Sequence, residues 1–197
     1  MHNKAYLFCK RTGDVLLSAL ALLLLSPVFA ALALWIKADS PGPVFFRQKR
    51  VGKDKTHFMI VKFRTMHTTA PKDMPTHLVR DSGAMITKSG RILRRTSLDE
   101  LPQLWNILKG EMSLVGPRPA LYNQYDLIAE RDKYNANAVR PGLTGLAQIS
   151  GRDELAIGTK AKRDGEYVAS MSATVDLSIL LRTFLSVIRH EGVRDNA

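Results

Sequence analysis

Between Val15 and Ile36 the chain carries no charged residue, and this run constrains the fold more than any other feature. As one helix it would be about 33 Å long, barely enough to cross a hydrocarbon core of about 30 Å. A straight span and a cleaved leader are two readings of such a run, although it is long for a leader and lacks an evident cleavage site. Ser26-Pro27 interrupts it near the middle. Proline removes a backbone donor and crowds the carbonyl four residues back, so a kink is expected, with the Ser26 hydroxyl available to a released carbonyl. Lys4, Lys10 and Arg11 precede the run, and Lys37, Arg47, Lys49 and Arg50 follow it. Basic flanks favour the cytoplasmic side, and a helix that enters and leaves one leaflet puts both flanks there. The expectation is a re-entrant membrane helix in residues 1–40, broken at Ser26 and Pro27, followed by a membrane-associated domain over 41–197.

Asp39-Ser40-Pro41-Gly42-Pro43 reads as the turn that ends the apolar segment. Val44 to Arg50 and Thr56 to Phe63 read as strands of a β-hairpin around Gly52-Lys53-Asp54-Lys55. On a regular second strand Lys62 and Arg64 share a face, as candidate substrate contacts. His67 to Lys88 is polar and gives no clear element; His67 and His77 lack metal-ligand spacing and read as loop histidines. Ala120 to Asn135 and Lys160 to Ser170 read as helices, and Arg140-Pro141-Gly142 with Thr144-Gly145 as a tight loop whose backbone can approach a ligand. Val175 to Val193 is amphipathic, with Leu177, Leu180, Leu181, Phe184, Val187 and Ile188 on one face. It suits either the core or the lipid interface, and the interface is favoured. The fold class expected is α+β and mostly helical.

The chemistry concentrates between Arg91 and Pro119. Leu98, Leu101, Leu104, Trp105 and Leu108 recur at helical spacing, giving an amphipathic helix over Leu98 to Lys109 that stops at Gly110. Ser97 and Glu100 fit a capping box, whereas Pro102 fits better if Leu98 or Asp99 is the cap. Either way Asp99 and Glu100 sit in the first turn. A pair of acids there serves as a helix cap worth about 0.5–2 kcal/mol. A cap needs no arginines, yet Arg91-Ile92-Leu93-Arg94-Arg95 reads as a short helix delivering cations to the pair, and Gly116-Pro117-Arg118-Pro119 follows. Guanidinium matches phosphate oxygens, and one or two carboxylates with substrate phosphates hold Mg²⁺. Acid with arginine in this pattern points to a magnesium–diphosphate substrate.

A formal net charge of +11 on 197 residues fits phosphorylated substrates, anionic membrane or nucleic acid. The one cysteine, Cys9, excludes an intrachain disulfide.

Ser97-Leu98-Asp99-Glu100-Leu101-Pro102-Gln103-Leu104-Trp105 through Gly116-Pro117-Arg118-Pro119 resembles the signature of the bacterial sugar transferases, monotopic polyprenol-phosphate phosphoglycosyl transferases. Lys10-Arg11 with Asp14, Ser26-Pro27, Lys62-Phe63-Arg64-Thr65-Met66, Val139 to Gly145 and Gln148 to Arg152 resemble further family segments, in order along nearly the whole chain. The chain is similar to the family's short form. Leu146 and Ser150 stand where many members have tryptophan and asparagine, so a nucleotide-stacking role is not expected there.

The resemblance implies transfer of a sugar-1-phosphate from a UDP-sugar to polyprenol (undecaprenyl) phosphate with release of UMP, through a covalent aspartyl-phosphosugar intermediate, as the first membrane step of glycoconjugate or polysaccharide synthesis. It implies Asp99 as nucleophile, Glu100 as metal ligand or proton handler, and Mg²⁺, with Mn²⁺ an alternative, on Asp99 and Glu100. Arg94 and Arg118 are the expected phosphate clamps, with Arg140, Lys62 and Arg95 as further substrate contacts. The implied location is the cytoplasmic face of the bacterial inner membrane. Membrane lipid and downstream glycosyltransferases are the other expected partners, and nucleic acid is not one. The Pro71 to His77 loop is similar to that of members using N-acetylated UDP-hexosamines. A membrane-anchored basic module without catalysis is the rival reading, and a diphosphohydrolase a second.

Overall fold

The structure, a computed structural model, describes residues 4–71, 82–151 and 155–189. The expectations placed on His77, on the loop beyond Pro71 and on Arg152 therefore lie outside the described residues. Two helices, α1 (Lys4–Leu24) and α2 (Ser26–Asp39), meet at a bend of 62°. Pro27 cannot donate to the Leu23 carbonyl, and the Ser26 hydroxyl takes that acceptor instead at 2.8 Å. No single described helix is long and apolar enough to cross a membrane; the bent pair meets that test only together. Its outer surface carries Phe8, Leu16, Leu23, Leu24 and Leu34, each more than three-fifths exposed.

The hairpin is as expected. β1 (Phe45–Val51) pairs antiparallel with β2 (His57–Phe63), in a register that sets Phe46 opposite Lys62. The other edge of β2 is closed by Asn106 of α5 (Gln103–Lys109), which accepts from Val61 N at 3.0 Å and donates to Met59 O at 2.8 Å. A side-chain amide thus stands in for a third strand. Phe58 and Ile60 pack on Leu104, Ile107 and Met112, with Ala21 and Leu22 of α1 against them.

Past the hairpin come α3 (Ser82–Met85) and α4 (Lys88–Arg95). Thr87 caps α4 by accepting from Gly90 N, and the Asp39 carboxylate accepts from Ser89 N and Oγ, fastening α4 to the end of α2. Leu32 and Ile36 of α2 bury against Phe63 and Leu93, with Leu98 and Leu101 at the edge. The acidic turn consequently rests on the second limb of the bent pair.

A short parallel pair, β3 (Ser113–Val115) with β4 (Gly142–Thr144), lay beyond the sequence reading. It corrects the reading of the Arg140 to Gly145 segment as a tight loop open to a ligand. A Cβ at Gly142 would stand 2.1 Å from Gly116 N, so glycine there serves strand-to-turn contact. α6 (Tyr125–Asp132), α7 (Leu146–Ile149), α8 (Ile157–Ser170) and α9 (Ala173–Ile188) complete the body. Arg131 of α6 and Asp164 of α8 form a buried ion pair at 2.6 Å. α9 divides its apolar surface: Ile179 is buried with Val115 and Tyr167, while Leu177, Leu181, Phe184 and Leu185 are exposed.

Candidate active site

The acids do not open α5. Leu98–Glu100 is a separate 3₁₀ turn, and Pro102 caps α5 one step later. Ser97 has φ 57°, a left-handed conformation unfavourable for a residue with a side chain, and its hydroxyl makes no cap bond. The capping box is therefore not formed. Instead Ser97 turns the chain sharply out of α4, donating its N–H to Arg94 O, and directs both carboxylates into the body. Gly110, at φ 86°, does end α5.

Three segments bring cations to this turn. Lys62, at the end of β2, donates to Glu100 Oε1 at 2.7 Å. Arg118, in the turn after β3, donates to the same oxygen at 3.0 Å. Arg94, in the last turn of α4, is held by its Nε donating to Thr65 Oγ1 at 2.9 Å. Glycine at position 90 lets α4 lie against the Thr65 backbone, since a Cβ would come within 2.0 Å of Thr65 O. Sequence reasoning missed Thr65 as the residue that orients Arg94, although it stands three positions from Lys62 in the Lys-Phe-Arg-Thr-Met segment.

The two carboxyls are shifted in opposite directions. For Glu100 burial works against charge, yet Arg118 and Lys62 hold its carboxyl well below the usual range. Asp99 is only 8% exposed, and burial pushes its carboxyl up to about 6. Lys62 opposes that rise, Glu100 adds to it, and Arg94 and Arg118 oppose it more weakly. None of these cations comes within 4.0 Å of its oxygens, and among the described residues its carboxylate accepts no hydrogen bond. Glu100 is paired with two cations, whereas Asp99 is bonded to none of these cations.

No group of three or more acids, histidines or cysteines suited to a metal occurs among the described residues. Two carboxylates alone do not make a metal site; with substrate oxygens supplying the remaining ligands, Asp99 and Glu100 Oε2, which neither cation engages, would be the protein's share of a Mg²⁺ site.

Other expected contacts lie elsewhere. Arg95 is exposed and makes no hydrogen bond or ion pair among the described residues. Arg64, beyond the end of β2, is buried and donates to Pro41 O and to Ser40 O, tying the hairpin to the end of α2 rather than sharing the Lys62 site. Arg140 donates Nε to Gly110 O at 2.8 Å, at the opposite end of α5 from the acids. Arg11 donates to Ile107 O and Leu108 O at that same end, and Asp14 accepts from Ser113 Oγ and Leu114 N. The N-terminal motif residues thus cap α5 and fix β3.

The family model described as bacterial sugar transferase matches residues 5–190. The chain belongs to the bacterial sugar transferase family. It is 42% identical to UDP-glucose:undecaprenyl-phosphate glucose-1-phosphate transferase of Escherichia coli over 88% of this chain and 39% of that protein. It is 36% identical to UDP-N-acetylgalactosamine-undecaprenyl-phosphate N-acetylgalactosaminephosphotransferase of Aeromonas hydrophila, over 96% of this chain and 46% of that protein. It is 36% identical to exopolysaccharide production protein ExoY of Sinorhizobium fredii, over 93% of this chain and 87% of that protein. This sugar transferase family chain thus spans less than half of the first two relatives and most of the third.

Proposed function

We propose that the chain is a polyprenol-phosphate phosphoglycosyl transferase, moving a sugar-1-phosphate from a UDP-sugar to polyprenol phosphate and releasing UMP. The observation that carries this reading is Asp99: a nearly buried carboxylate without a hydrogen-bond partner among the described residues, beside a neighbour neutralised by two cations. A structural cap would be bonded to backbone N–H groups.

In the proposed reaction an Asp99 oxygen attacks the sugar-bearing phosphorus of the donor diphosphate. The new carboxyl–phosphorus bond forms as the bond to the UMP oxygen breaks, and UMP leaves with that electron pair. A phosphate oxygen of the polyprenol then attacks the same phosphorus and returns the carboxylate to Asp99. Two anionic substrates are thereby never pressed together. Arg94 and Arg118 hold the diphosphate, and Lys62 keeps Glu100 charged and balanced. Bound Mg²⁺ or Mn²⁺, on Asp99 and Glu100, would neutralise diphosphate charge.

The bent α1–α2 pair is proposed to enter and leave one leaflet of the bacterial inner membrane, with residues 41–197 on the cytoplasmic face. The exposed Leu and Phe side chains on both limbs and along α9 support this, as does the acidic turn seated on α2. The donor is proposed to be an N-acetylated UDP-hexosamine; the relatives carry names for glucose and N-acetylgalactosamine transfer, which makes a donor screen the deciding assay. With UDP-sugar and polyprenol phosphate together, UMP release is expected from the wild type and not from Asp99→Asn. Release by Asp99→Asn at the wild-type rate excludes the nucleophile, and sustained release beyond one UMP per enzyme without polyprenol phosphate favours a hydrolase.

A further inference from the structure

A cleft of about 540 Å³ opens at the far end of α5, between the first turns of α1, β3, the Tyr134–Arg140 segment and α8. That volume falls in the range of about 300–1,000 Å³ typical of small-molecule sites. Its walls are of two kinds. Leu7, Val139, Val168 and Met171 make one side apolar, while Lys10, Arg11, Lys53 and Arg140 supply cations. Asp14 is the acid that lines it, and its oxygens are already taken by Ser113 and Leu114. Lys10 is paired with Asp176 at 2.7 Å, and Arg11 is committed to α5 carbonyls. Two cations are left to act. Arg140 uses Nε on Gly110, and its terminal nitrogens have no partner among the described residues. Lys53 has only its neighbour Asp54, 3.8 Å away and largely exposed.

Depth decides the ligand. The α1 wall, Leu7 to Asp14, is the pair of turns directly before the charge-free run that begins at Val15. Lys10 precedes Val15 by about 7.5 Å of helix. The headgroup layer on one side of a bilayer is about 5–8 Å thick. Resting on the membrane reading above, we infer that this cleft binds the phosphate headgroup of an anionic phospholipid, through Arg140 and Lys53, with its glycerol and upper acyl carbons on the apolar wall. This ligand is distinct from both substrates, and its site lies across α5 from Asp99.

The test uses the full chain, with vesicles of phosphatidylcholine alone or mixed with phosphatidylglycerol. Sedimentation with phosphatidylcholine alone reads membrane association; failure there overturns the membrane reading itself. Preference for phosphatidylglycerol reads the cleft. Lys53→Gln is expected to reduce that preference roughly fivefold. Ala169→Trp, which keeps the charge and fills the exposed rim of the cleft, is expected to abolish it while phosphatidylcholine binding persists. Lys49→Gln, away from the cleft, controls for general surface charge. The inference is overturned if Ala169→Trp keeps the full preference or if Lys49→Gln lowers it as much as Lys53→Gln. It is also overturned if inorganic phosphate or UMP displaces phosphatidylglycerol at millimolar concentration, which would assign the cleft to a free anion.

Discussion

Lys62→Met tests whether Glu100 is held charged by its neighbours. The substitution keeps the aliphatic stem and removes the ammonium. The ion pair measures 2.7 Å, with side chains 16% and 19% exposed. At an effective dielectric of 20 its gross attraction is about 6 kcal/mol, most of it cancelled by desolvation of the two ions. Exposed pairs net about 0–1 kcal/mol, and breaking buried ones costs about 3–5 kcal/mol. At this partial exposure about 2 kcal/mol is expected, a fall in Tm of about 4–8 °C. The assay is a double-mutant cycle with Glu100→Gln on metal-free protein in detergent. A coupling below about 0.5 kcal/mol would refute the reasoning. The sign with pH is also fixed. Because the folded Glu100 carboxyl is lowered, this stability is present above its ordinary value of about 4.3, and is lost only as pH falls through the lower folded value. The gap between wild type and Lys62→Met should therefore persist to pH 5 and close only in stronger acid.

Asn106→Ala strips partners from Val61 N, Met59 O and Glu111 at a site 1% exposed, and should cost about 2–4 kcal/mol by denaturant titration. Asp164→Asn leaves Arg131 buried without its counter-charge and should cost about 3–5 kcal/mol, whereas Arg131→Met with Asp164→Leu should recover most of it. Cys9, the lone and exposed cysteine, should react with an impermeant maleimide in everted membrane vesicles and not in spheroplasts. Labelling in spheroplasts would mean a straight span. Pro27→Ala restores a donor to Leu23 O and should shift labelling toward spheroplasts.

What was legible in the sequence was local. The Ser26-Pro27 break, the hairpin and the α4 arginine helix follow from proline chemistry, alternation and capping within a few residues. The acids and their partners Lys62, Arg94 and Arg118 were also named, although Arg95 lies outside the cluster. What stayed hidden depends on distant partners. Arg64 and Arg140 look like substrate ligands in sequence because any arginine can bind phosphate. Only the fold reveals that Arg64 is spent on carbonyls just past the end of α2, and that Arg140 bonds through Nε to Gly110 O at the end of α5 remote from the acids. β3 and β4 are three residues each, too short for a periodic signal, and their pairing spans glycines that read as a loop. The left-handed Ser97 overrode a good capping-box pattern because the chain must turn out of α4 there.

Intact-mass spectrometry of the protein after exposure to UDP-sugar alone, without lipid acceptor, tests the nucleophile most directly. The account predicts a mass gain equal to one sugar phosphate, absent in Asp99→Asn and discharged on adding polyprenol phosphate. Full turnover with no adduct at any time, or an adduct that survives in Asp99→Asn, would contradict it.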